Sequence, residues 1–534
     1  MVDIPYRHGT LDTPIRRAAQ VAPDKEGLID GDHRFTYREL ADRIERLRGG
    51  LLALGLDSGD RVSALALNSF RHFEAWFAIP TANLVFNDLN FRLAQPELQF
   101  IVDDSGAKML FADATHWERA LDLRDRCDSL TSVVWMDDGP APDGSPTWDD
   151  LARVEPVPVP ADLDADSVAS ICYTGGTTGL PKGVMQTHGN LMANATHKLW
   201  GNPTYFDDRF LHLTPMFHSA GVADIYSTTM VAGTQVTCPG FDADLVGRMI
   251  EDHRITACVL VPTMINMFLN HPATQDRDLS SWRLCIYAAS PMPLSLLQRA
   301  VAELPCGFIQ GYGMTEMCPH CTQLSIEDHR RGAAGDDADA VRRLRSAGQV
   351  CIGVDLEIRR EDGTPCDTGE VGEITARGPN MMPGYWNRPD ETAKVFTADG
   401  WYRTGDLGSL DDEGYVFIVD RAKDMIVSGG ENVYTTEVEN ALASHPAVLE
   451  LAVFGIPHEQ WGEAVHAEVV LKAGMHASEA DLIAHCRQSI AGYKVPRSMV
   501  IRDEPLPKSG AGKILKRDVR APYWDPVQVV SDTT

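Results

Sequence analysis

The chain has 534 residues, 44% of them hydrophobic, enough to bury a large core in more than one folding unit. Its 48 Lys and Arg against 76 Asp and Glu leave a net charge of −28, which argues against nucleic acid or anionic lipid as a partner and requires any anionic ligand to be held by local donors. Eleven cysteines scattered from Cys127 to Cys486 without paired spacing read as reduced thiols, no apolar run approaches the roughly 20 residues of a membrane span, and the N-terminus lacks a signal-peptide core, so a cytoplasmic location is expected.

From the start to about residue 420, short apolar runs such as RVSALALNSF, VASICYT, TACVLVPT and RLCIYAAS alternate with amphipathic stretches. That alternation predicts an α/β unit with largely parallel, buried strands. The acidic and basic piece from Glu327 to Arg345 is expected to be a solvated surface excursion. Between about 350 and 420, Gly and Asp at the bends of EDGTPCDTGEVGE and DDEGYVFIV predict a small β-rich subdomain. After DRAKDMI a new unit starts with the helical TTEVENALASH and the strands LAVFGI and AVHAEVVLK. In it, Ser478 and Asp481 have capping-box spacing. The expected boundaries are therefore 1–420, a connector at 421–424, and 425–534.

Three glycines and three threonines crowd the six positions from Thr174 to Gly179 (Gly175, Gly176, Thr177, Thr178 between them), followed by Pro181 and Lys182. Glycines let backbone N–H groups approach an anion, threonine hydroxyls add donors, and Lys182 adds a point charge. With THGNLMANA reading as helix, the loop is expected between a strand and a helix. It is not a Walker loop, because Pro181 and Gly183 stand where that motif requires Gly and Ser or Thr.

The segment YTGGTTGLPKGV closely resembles the signature of the adenylate-forming superfamily of acyl-CoA synthetases, adenylation domains and luciferases, whose usual Ser is Gly175 here. Further segments follow in the family's order. GYGMTE resembles its second nucleotide motif, which implies Gly311, Tyr312 and Gly313 against the nucleotide, Thr315 on the α-phosphate and Glu316 on Mg²⁺. Ala289 and Ser290 match the adenine-lining stretch, Asp406 of YRTGDLG the ribose ligand, Arg421 a nucleotide contact, Lys423 the hinge and Lys513 the catalytic lysine. LTPMFHSAG is similar to the segment guarding the carboxylate, which puts His218 at the reaction site and His218, Val222 and Cys318 in the acyl pocket. SGGENVYTTEVE resembles the acceptor tunnel, with Gly429, Gly430 and Glu431; Thr435, where the family often has Pro, is suited to cap the following helix.

The resemblance implies a large N-terminal domain of two doubly wound α/β subdomains plus a small β-rich subdomain, and a small mobile α+β C-terminal domain. It implies activation of a carboxylic acid by ATP and Mg²⁺ to an acyl-adenylate, with release of pyrophosphate. The acyl group then passes to coenzyme A, with an amine or a carrier-protein thiol as alternative acceptors; a homodimer is among the assemblies it allows. The pair in Cys318-Pro-His-Cys321 matches a redox or zinc spacing, but no second ligand pair stands at metal spacing, and a packing or pocket role is expected. The candidate pocket segments are small or apolar, which favours a fatty, aryl or alicyclic acid.

Overall fold

A computed structural model describes residues 9–174, 181–201, 203–289, 292–421, 424–428, 431–458, 460–508 and 514–524. Among these, the strands form four sheets. Short strands that are buried on both faces make the parallel centres of the two large ones; Met109–Ala112, Ala257–Leu260 and Leu284–Tyr287 have every residue buried. In the six-stranded sheet the order is Ser132–Trp135, Met109–Ala112, Arg61–Leu65, Val85–Asp88, Val168–Thr174, Lys182–Thr187, parallel except for the last pair. The nine-stranded sheet has parallel strands from Glu26–Asp30 to Gly307–Gly313 and antiparallel strands at both edges.

The helices Phe70–Thr81 and Ser219–Met230 lie in the core shared by the two large sheets, and Phe70–Thr81 is buried on every side. A helix so placed has to neutralise its own polar side chains. Glu74 receives Arg43 Nε at 2.5 Å and Trp148 Nε1 at 2.9 Å, Arg71 pairs with Asp138 and Asp149, and His72 Nε2 lies 2.6 Å from Asp88 Oδ2.

A four-stranded antiparallel sheet of Asp355–Arg359, Gly372–Arg377, Tyr402–Leu410 and Val416–Arg421 forms the β-rich part. Beyond it, a five-stranded sheet with the helices Thr435–Ala443, Glu479–Cys486 and Lys516–Trp524 makes an α+β unit with its own core. The Ser478–Asp481 capping box forms as its spacing predicts. The Glu327–Arg345 piece is not an excursion. It folds as Ile326–Ala334 and Ala338–Arg343, buries His329 and Ala340, puts Leu344 into the core of the nine-stranded sheet, and pairs Arg342 and Arg343 with Asp411 and Glu413. His329, Gly332, Ala340 and Leu344 face in, while most of its charged residues face out.

Two buried histidines set an acid limit on stability. Burial pushes His188 and His329 from the ordinary 6.5 down to about 4. Their neutral rings are used: His188 Nδ1 accepts from the Leu11 N–H at 3.1 Å, and His329 lies 2.9 Å from the Tyr287 hydroxyl. Because their folded values are depressed, the stability they contribute is present above pH 6.5 and lost as the pH falls towards 4. His72, whose value is raised, has the opposite sign above 6.5. The urea midpoint should therefore fall between pH 6.5 and 4, with a shallower fall in His188→Gln; a flat midpoint across that window would contradict the assignment.

Candidate active site

The strand Gly307–Gly313 ends in a turn that folds back over it. A Cβ at Gly313 would stand 1.7 Å from the Pro319 carbonyl oxygen and one at Gly311 2.8 Å from the His320 ring, so the close approach admits only glycine. The fold-back presents Thr315 and Glu316 on the 3₁₀ turn Thr315–Met317, just past the end of a parallel strand, where open α/β sheets place ligands. Gln186 Nε2 donates to the Thr315 carbonyl at 3.1 Å, and Ser219 Oγ lies 3.4 Å from Thr315 Oγ1. The Tyr385 hydroxyl donates to Glu316 Oε1 at 2.9 Å. Burial raises the Glu316 pKa, against the smaller pull of that hydroxyl and of Arg421 and Lys182.

Asp406 and Arg421 face each other on neighbouring antiparallel strands. The Asp406 carboxylate, 5% exposed, accepts from the Tyr312 hydroxyl at 2.8 Å through Oδ2, and Oδ1 lies 3.2 Å from Arg421 Nε. Lys182 Nζ is 2.5 Å from Glu391 Oε2 and 5.2 Å from the Tyr385 ring centre. Lys182, Thr315, Glu316, Tyr312, Asp406 and Arg421 thus form one connected site built from both large sheets and the β-rich sheet.

Ala289 adopts φ 74°, a left-handed conformation that costs a non-glycine residue about 1–2 kcal/mol, beside the strand end of Leu284–Tyr287. His218 caps the helix Ser219–Met230, its Nδ1 accepting from the Ala220 N–H at 3.2 Å. Val222, on the same helix, and Cys318 are both buried in the core between the sheets. Thr174 pairs with Lys182 across the strands, and Glu431 pairs with Ser428 in a short antiparallel pair. Gly175, Gly176, Thr177, Thr178, Gly179, Ser290, Lys423, Gly429, Gly430 and Lys513 lie outside the described residues.

Two expectations change, and the packing role expected of the cysteine pair holds. The Thr-rich segment connects the antiparallel strands Val168–Thr174 and Lys182–Thr187, and the helix His188–Gly201 starts only after the second of them, so the connection is strand to strand and not strand to helix. Thr435 is not the cap of its helix; that position is Tyr434. Instead the Thr435 N–H donates to Asp420 Oδ2 at 2.5 Å, its hydroxyl donates to Asp420 Oδ1 at 3.2 Å, and Lys516 Nζ donates to that hydroxyl at 2.7 Å while lying 2.8 Å from Glu439. Cys318 and Cys321 are free thiols in different core clusters, Cys321 beside Met317 and Cys351. Burial pushes both thiols up, the reverse of a reactive thiolate.

Comparison with known proteins decides the family. Residues 15–386 match the AMP-binding enzyme family and residues 437–513 its C-terminal domain. The chain belongs to the AMP-binding enzymes. It is 39% identical over 508 residues to a feruloyl-CoA synthase from an Amycolatopsis species, covering 95% of this chain and 97% of that one. The crystal structure of ATP-bound MatB from Rhodopseudomonas palustris is similar with a TM-score of 0.86 and 29% identity, over 96% of this chain and 99% of that one. The amide bond synthetase McbA from Marinactinospora thermotolerans is similar with a TM-score of 0.85 and 27% identity, over 96% and 100%.

Several residues of this AMP-binding enzyme's site carry no local sequence signal. Tyr385 reaches Glu316 from 69 residues away, Glu391 reaches Lys182, and Gln186 and Ser219 converge on Thr315. Only tertiary structure brings them together.

Proposed function

We propose that this enzyme activates a carboxylic acid with ATP, forming an acyl-adenylate and pyrophosphate, and then passes the acyl group to the thiol of coenzyme A. The observation that carries this reading is the convergence of Lys182, Thr315 and Glu316 with the Tyr312–Asp406–Arg421 group. A carboxylate oxygen approaching the α-phosphorus meets negative oxygens, so the reaction needs fixed donors and cations where charge accumulates. In a chain of net charge −28 those must be local. Thr315 would bind the α-phosphate, Asp406 the ribose hydroxyls, Lys182 the outer phosphates with the Thr-rich loop, and Lys513 the reacting oxygens.

Glu316 fits a magnesium ligand: it is a carboxylate whose pKa burial raises, and a neighbouring cation relieves that cost. Bound there, Mg²⁺ would neutralise phosphate charge. His218 and Ala289 would border the carboxylate and adenine. The C-terminal unit would turn about Lys423 between the half-reactions, withdrawing Lys513 and bringing the Gly429–Glu431 segment to the acceptor.

The test is carboxylate-dependent ATP–pyrophosphate exchange over a panel of fatty, aryl and alicyclic acids, followed by an acceptor screen. Thioester formed with coenzyme A is the expected product. The similarity to an amide bond synthetase favours one second reading, transfer to an amine; acylation of amines with coenzyme A ignored would replace the thioester assignment. Within the first half-reaction, Asp406→Ala should raise the KM for ATP by roughly tenfold or more, the worth of hydrogen bonds to a charged group. An unchanged KM would remove Asp406 from the ribose site.

A further inference from the structure

Lys182 has one charge and two anions to serve. The acid-activating reading gives it to the outer phosphates of ATP, while in the structure its Nζ lies 2.5 Å from Glu391 Oε2. The backbone sets up this pairing. The Trp386 N–H donates to the Gly183 carbonyl at 2.7 Å and the Met185 N–H to the Gly384 carbonyl at 3.1 Å, so residues 384–386 run along the start of the strand Lys182–Thr187. Thr392 Oγ1 accepts from the Tyr385 N–H at 2.9 Å, which ties the helix Pro389–Val395, and Glu391 on it, to the same segment. Tyr385, whose ring centre is 5.2 Å from Lys182 Nζ, donates its hydroxyl to Glu316. One segment therefore holds both the lysine and the carboxylate of the reaction site.

A phosphate held by Lys182 has to share the ammonium with Glu391 or displace it. Two anions on one ammonium stand within a few ångströms of each other, and their repulsion opposes what each gains from the cation. Glu391 can give way at little cost. Its other oxygen, Oε1, accepts from Lys394 Nζ at 2.5 Å on the same helix, and its side chain is 31% exposed, so a second lysine and solvent remain to it when Lys182 leaves. Hydrogen bonds from Lys182 and then Lys394 hold the Glu391 carboxyl down at about 2, which makes it an anion at neutral pH.

We infer that Glu391 competes with the outer phosphates of ATP for Lys182: ATP displaces the carboxylate from the lysine, and the carboxylate takes the lysine back as pyrophosphate leaves. Glu391 is then a positioning residue that weakens the hold on ATP and on pyrophosphate together and helps pyrophosphate depart. The inference rests on the acid-activating reading and adds to it the residue that limits how tightly the outer phosphates are held. The full-length enzyme and its Glu391→Gln and Glu391→Ala variants are titrated calorimetrically with ATP, pyrophosphate and AMP, each with magnesium. Both variants should bind ATP and pyrophosphate about two- to fivefold more tightly, which is what a partly exposed ion pair contributes. Pyrophosphate should inhibit adenylate formation at correspondingly lower concentration. AMP, which lacks the outer phosphates, should bind equally to all three proteins, a split that a merely structural role for Glu391 would not produce. Unchanged or weaker ATP binding by either variant overturns the competition, as does an equal gain for AMP. Carboxylate-dependent exchange by the unmodified enzyme then leaves the ligase reading standing. An unmodified enzyme that binds neither ATP nor pyrophosphate overturns both.

Discussion

Lys513→Ala is expected to slow acyl-adenylate formation by roughly two to three orders of magnitude, the usual loss on removing one fixed group that stabilises developing negative charge. Lys513 lies outside the described residues, and the expectation comes from its place in PLPKSGAGKILKR and from the site it would complete. Around the reaction centre the described cations are Lys182, engaged with Glu391, and Arg421, engaged with Asp406. Neither is placed to follow a moving oxygen. Pyrophosphate exchange reads the first half-reaction, and thioester formation from a supplied acyl-adenylate reads the second. The variant should fail the first and keep the second; equal losses would contradict withdrawal of Lys513 between the steps.

Gly313→Ala should cost about 10²-fold in pyrophosphate exchange, the scale of an ångström-sized displacement of reacting groups. Its Cβ would lie 1.7 Å from the carbonyl oxygen of Pro319, and a backbone atom cannot rotate away as a side chain can. Relief requires the turn carrying Thr315 and Glu316 to lift from the strand, which also strains the contacts of Gln186 and Tyr385 with it. The loss should appear mainly in kcat, with the thermal transition lowered by the strain but still cooperative. Full activity would mean that the turn can shift without moving Thr315.

The parallel strands were legible because burial on both faces leaves an unbroken apolar run, as in Leu284–Tyr287. GYGMTE and YRTGDLG were legible only through their resemblance to the family's motifs, and the Tyr312 hydroxyl on Asp406 brings the two segments together. The strand Lys182–Thr187 was not, since it is short, carries polar residues, and runs directly into the helix at His188, so that the phosphate loop looked like a strand-to-helix turn. The helices within Glu327–Arg345 were hidden by charges on their exposed faces, although His329, Gly332 and Ala340 mark an inward side. Partnerships such as Tyr385 with Glu316 are set by the packing of distant segments and leave no local pattern.

Asp420 lies on one side of residues 421–424, and its partner Thr435 and that residue's partner Lys516 lie on the other. If the small domain swivels there, the joint is a detent and not a free bearing: the carboxylate must release the Thr435 amide and hydroxyl, and Lys516 the company they form, before the unit can turn. The time spent in each orientation would then be tuned by residues that touch neither nucleotide nor acid. Weakening Thr435 would loosen the catch without altering the chemistry on either side of it.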